Sequence, residues 1–184
     1  MPLFAFINRR FRSFVCLFIL VITLFVSALS IAQLNLTYRL LNGYLLSDDA
    51  PVNKGKPTLF VFEQADTFSQ VFKPATTGTR KPDVANFSKD MVIGVTLPAT
   101  NKPPRLSISK VFVQDSTLTI RYIRLTDTTF THNPQSFTTQ PMLLVAVPKQ
   151  TVLRTRLVEN GKVIQTLKKR KASNVRLFSD IKNP

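Results

Sequence analysis

Two short apolar runs constrain this chain most. "MVIGVTL" (Met91 to Leu97) and "MLLVAVP" (Met142 to Pro148) are continuous, rich in β-branched residues and of strand length. A strand without polar alternation has both faces covered, so the second run is expected in the centre of a sheet. Gly94 inside the first run predicts a bulge or a close backbone approach.

The rest of the chain supplies strands around these two. "TLFVFEQ" reads as a buried strand from Thr58 to Glu63. "RLSISKVFV" and "LTIRYIRLT" flank "QDS", a hairpin with a short Asp-Ser turn. The apolar phase slips between Leu106, Ile108 and Val111, Val113, which predicts a bulge or twist near Lys110. Leu118, Ile120 and Tyr122 share one face, Arg121 and Ile123 the other. Asn160-Gly161 predicts a second hairpin, because a type I′ turn needs positive φ at both positions. "QLNLTYRLL" alternates Leu34, Leu36, Tyr38 and Leu40 as a half-buried strand, broken at Gly43. One short helix is expected near Thr67 to Phe72, with Asp66 as N-cap, Phe68, Val71 and Phe72 inward, and Pro74 as its stop. The predicted class is α+β: mainly antiparallel β, as a sheet or sandwich, with one short helix.

The first residues have a different character. Arg9, Arg10 and Arg12 precede the apolar run "FVCLFILVITLFVSAL" (Phe14 to Leu29), and Ser30 and Ala32 sit where signal peptidase reads small side chains. This predicts a signal-peptide helix over residues 1–32, cleaved between Ala32 and Gln33. The alternative is a retained anchor. The lone cysteine, Cys16, lies inside this run. The mature chain then has no thiol, no disulfide and no site for lipid attachment at an N-terminal cysteine. Export to the periplasm or the cell exterior follows.

The whole chain carries +15, and removal of residues 1–32 with their three arginines leaves +12. Such a balance favours anionic partners. The densest cluster is "KKRK", Lys168, Lys169, Arg170 and Lys171, a candidate anion contact that also reads as a solvated tail.

Catalytic chemistry finds little to work with. His132, the single histidine, stands in the polar segment "FTHNPQ" and reads as a solvated turn residue. Asp48 and Asp49 are adjacent and would point apart on an extended chain, unlike a glycosidase pair. Asp83 and Asp90 flank the "NFSK" turn and are expected to shape it rather than hold calcium. The glycines are isolated, so no phosphate loop is written. "IRYIRL" has the look of a stacking strip through Arg121, Tyr122 and Arg124, against the simpler reading of a sheet with one solvated face. No cofactor, metal, nucleic acid or small-molecule substrate is expected.

"LNGYLL", "FVFEQADTFSQVFKPATTGTRKPDVANFSKDMVIGVTLPATN" and "QSFTTQPMLLVAVPK" follow the order and spacing of a group of small exported bacterial proteins of unknown function. The same layout resembles the C-terminal domain of PrcB-type protease-complex subunits. It covers about Leu41 to Lys149. At "ATNKPPRLSI" the chain departs from the Thr-Gly-Gly-Tyr loop of that family. The resemblance implies residues 33–149 as a PrcB-like β domain, residues 150–184 as a C-terminal hairpin and basic tail, and a non-catalytic role beside an exported protease.

The expected function is an exported binding or assembly module that docks to an envelope protein. Its candidate contact is the loop Pro98, Ala99, Thr100, Asn101, Lys102, Pro103, Pro104 and Arg105, since loops on a rigid sheet commonly carry function. The alternative is a basic protein that binds anionic envelope components, lipid or glycan.

Overall fold

The computed structural model describes residues 15, 18–20, 33–75 and 81–169. The chain divides into two compact units, Met1–Ala32 and Gln33–Pro184. The predicted signal-peptide helix lies outside the described residues, apart from those four positions. No helix among the described residues is long and apolar enough to cross a membrane.

The second unit is β-rich, mostly antiparallel, with few and short helices. In chain order its elements are β1 (Leu34–Asn35), β2 (Arg39–Leu40), β3 (Tyr44–Leu46), β4 (Thr58–Phe62), α1 (Ala65–Val71), β5 (Phe72–Pro74), β6 (Asp90–Thr96), β7 (Arg105–Gln114), β8 (Thr117–Leu125), α2 (Thr128–His132), β9 (Met142–Pro148), β10 (Arg154–Glu159) and β11 (Lys162–Lys168). One sheet runs β1-β7-β8-β10-β11, a second β2-β9-β6-β4, and β3 pairs with β5 alone. Among the described residues only β8 and β10 pair in parallel.

The two apolar runs become β6 and β9, the inner strands of the four-stranded sheet. Their alternate side chains enter two separate clusters. Ile93, Val95, Leu143 and Val145 pack with Leu118, Ile120, Tyr122 and Leu157 of the five-stranded sheet. Val92, Leu144 and Ala146 face the other way, onto Phe60, Phe62, Phe68 and Phe72. Those four phenylalanines meet at centroid separations of 5.5–5.9 Å, mostly edge to face. A strand covered on both faces has no use for polar residues, which is why these runs lack alternation. Gly94 is needed here because a Cβ would stand 2.9 Å from the Phe72 ring. This corrects the expectation at Gly94: what approaches is a side-chain ring rather than backbone, and β6 carries no bulge at that point.

Both predicted hairpins form. Asn160 and Gly161 have φ of 46° and 87° between β10 and β11, and Asp115 and Ser116 have φ of 48° and 55° between β7 and β8. The register shifts between Ile108 and Lys110, where the phase slip placed a bulge. Asn160 also extends β8 past the end of β10: its side chain accepts from Arg124 N and donates to Arg124 O, at 3.0 and 3.1 Å.

Three expectations are corrected. There are two short helices among the described residues, not one. The second, α2, is capped by Asp127, which accepts from Thr129 N; its threonines hide it from a propensity reading. The first helix begins earlier than expected, after Gln64 rather than Asp66, and stops at Val71 because Phe72 already pairs with Leu46 as β5. The Leu34–Leu40 alternation is not one strand. Its residues divide between β1 and β2, which belong to different sheets, and Leu34, Tyr38 and Leu40 are exposed.

Candidate functional site

The five-stranded sheet has one face on the core, so its register fixes what the other face displays. Three cross-strand rows result, each read from β7 through β8 and β10 to β11. The first is Gln114, Thr117, Arg154, Lys168. The second is Phe112, Thr119, Arg156, Thr166. The third is Lys110, Arg121, Val158, Val163. Residues directly opposite one another on neighbouring strands share a face, which makes these rows contiguous.

A cavity of about 380 Å³ runs over this grid, lined by Phe112, Thr117, Thr119, Arg121, Arg154 and Arg156, among others. Its floor is closed. Thr119 is 4% exposed, Val158 5%, Phe112 5% and Thr117 8%, although all four point away from the core. Long cationic side chains cover them. Lys110 Nζ lies 5.5 Å from the Phe112 ring centroid and Arg121 Cζ 5.4 Å, so two like charges share one ring face region by cation–π attraction.

Among the described residues none of Lys110, Arg121, Arg154, Arg156 and Lys168 takes part in an ion pair; the pairs there are Arg105–Asp127, Arg124–Glu159 and Lys169–Glu63. Asp115, in the β7–β8 turn, is the acid that lines the cavity. Five unpaired cations on one sheet face create a positive field that attracts anions.

The residues singled out from sequence fall as follows. Pro98 to Arg105 joins β6 to β7 and is tied down along its length. Thr100 exchanges backbone hydrogen bonds of 2.8 and 2.9 Å with Thr139, Asn101 O accepts from Gln135 N at 2.9 Å, and Lys102 N donates to Thr100 Oγ1 at 3.0 Å. Arg105 Nε donates to Asp127 Oδ2 at 2.8 Å. That bond, then the Thr129 amide, holds the Asp127 carboxyl below the ordinary carboxylate range. Ala99, Asn101 and Lys102 remain exposed. In the basic cluster, Lys168 ends the first row of the grid, while Lys169 turns to Glu63. Arg170 and Lys171 lie outside the described residues.

The "IRYIRL" stacking strip does not form. Tyr122 points into the core at 1% exposure and donates to Glu159 Oε2. Burial, then that hydrogen bond, pushes the Tyr122 phenol well above its ordinary range. His132 ends α2. Asp83 accepts from Asn42 N and Nδ2, at 2.9 and 3.1 Å, and the "NFSK" turn is shaped by Asn86, whose Oδ1 accepts from Ser88 N and Oγ. Among the described residues no three His, Cys, Asp or Glu side chains are grouped as a metal site would require.

Arg154 and Arg156 are the residues that sequence reasoning passed over. The signal was "RTR", cations at alternate positions flanking a threonine on a strand. No family model, no curated protein and no solved structure matches the chain.

Proposed function

We propose that this protein is a non-catalytic binding module of the cell envelope or exterior, and that it holds an anionic ligand on the outer face of the five-stranded sheet. One observation carries the reading: Arg121, Arg154 and Arg156 line a closed-floored cavity and none is ion-paired among the described residues. A merely solvated sheet face would leave its threonines open to water, whereas here Thr117 and Thr119 are buried. Arg9, Arg10 and Arg12, the apolar run from Phe14 to Leu29 and the small residues Ser30 and Ala32 support export, with cleavage after Ala32. The likeness to PrcB-type domains supports a non-catalytic β domain accessory to an envelope protein.

A second reading keeps Pro98 to Arg105 as a protein-docking loop. Its favouring observation is the pinning to Thr139 and Gln135, which removes the ordering cost that a loose loop would incur on binding.

Retention on a sulfonated resin separates the two. The sheet-face reading expects elution at markedly lower salt for Arg154→Gln/Arg156→Gln and no change for Asn101→Ala/Lys102→Ala, beyond the single charge removed. Equal elution of the sheet-face variant and a variant with two cations removed elsewhere would sink it, because net charge alone would then explain retention.

A further inference from the structure

We infer that the anionic ligand is a linear acidic polysaccharide, laid diagonally across the five-stranded sheet from Lys110 to Lys168; this rests on the sheet-face reading above. The three rows of the grid place the cations along one diagonal. Lys110 and Arg121 hold one corner, Arg156 the middle, and Arg154 and Lys168 the opposite corner. The other two corners are uncharged, Gln114 with Thr117 and Val158 with Val163. From strand spacing and rise, the track is about 20 Å long. A compact anion would leave one end of it unused. An extended chain with repeated negative charge uses all of it.

The chemistry of the floor selects among extended polyanions. Single-stranded nucleic acid needs exposed aromatic faces on which bases stack. The aromatic of this face, Phe112, is 5% exposed and lies under Lys110 and Arg121. It offers no stacking platform. The grid instead sets accessible polar groups beside its cations, the half-buried amide of Gln114 and the exposed hydroxyl of Thr166, which suit hydroxyl-bearing sugars. A flat lipid surface would meet the rim of the cavity before its half-buried Arg156. Clustered lysine and arginine on a scaffold of this kind suit carboxylate or sulfate groups on a glycan chain.

Calorimetry on the full chain tests this with galacturonate monomer, galacturonate oligomers of increasing length, inorganic phosphate, oligothymidylate and phosphatidylglycerol vesicles. Affinity for the oligomers is expected to rise with length and level off once the chain spans the track. Arg154→Gln/Arg156→Gln should weaken the long oligomer by about tenfold, and Lys149→Gln should leave it unchanged. Monomer or phosphate binding as tight as the long oligomer would overturn the polysaccharide and leave an anion site. Preference for oligothymidylate or vesicles would overturn it in favour of those ligands. If no probe binds the wild type more tightly than the double variant, the sheet-face reading falls as well.

Discussion

The four-stranded and five-stranded sheets are built from the same kinds of strand and are used in opposite ways. β6 and β9 bury both faces, one against the five-stranded sheet and one against the phenylalanine cluster. β8 and β10 bury one face and hold cations on the other. The inner strands of the four-stranded sheet therefore have no free face for binding. The five-stranded sheet can carry charge because its inner residues, Leu118, Ile120 and Leu157, already anchor it at 0% exposure. Packing and displayed charge are divided between sheets, and within the second sheet between alternate residues of one strand.

Substitutions can break that division. The largest effect is expected in the doubly covered sheet. Ile93→Ala removes a fully buried side chain between the sheets and should cost about 2–5 kcal/mol in urea unfolding. A loss under 1 kcal/mol would mean that the strand does not carry the core.

An intermediate effect belongs to the inner face of the five-stranded sheet. Tyr122→Phe deletes the phenol that donates to Glu159 and should cost about 1–3 kcal/mol at neutral pH. The folded phenol titrates above the unfolded one, near 10. Its contribution is therefore fully present below pH about 10 and is lost as pH rises beyond it. The gap in melting temperature between wild type and variant should stay constant below that pH and narrow above it. A gap that widens in alkali would contradict the assigned hydrogen bond.

The smallest effect is expected on the outer face. Arg154→Gln/Arg156→Gln should change unfolding stability by no more than about 0.5 kcal/mol, since neither side chain is ion-paired among the described residues. A large loss would make these arginines structural and erase the contrast between the faces.

Much of the fold was legible because its signals are local. Asn160-Gly161, the Asp115-Ser116 turn and the phase slip before Lys110 each depend on a few neighbouring residues. The candidate site was not legible, because it depends on pairing between distant strands. Arg121 and Arg156 line one cavity only because β10 lies parallel to β8, and no local residue announces that pairing. The dense "KKRK" drew attention by its run length, yet Lys169 is paired with Glu63 and Lys168 alone joins the grid. The loop from Pro98 to Arg105 was visible from its prolines, but its anchoring on Thr139 and Gln135 needed the fold.

The parallel pairing of β8 and β10 has a consequence for the order of assembly. Between these two neighbours the chain leaves the sheet, builds α2 and crosses the other sheet as β9. Such a contact closes a long loop, and closure of that kind comes late in folding. Arg154, Arg156 and Lys168 are also synthesised after β1 to β9. The cationic track therefore exists only once β10 and β11 have joined the sheet, and an incomplete chain, however well its first strands have collapsed, displays no such track.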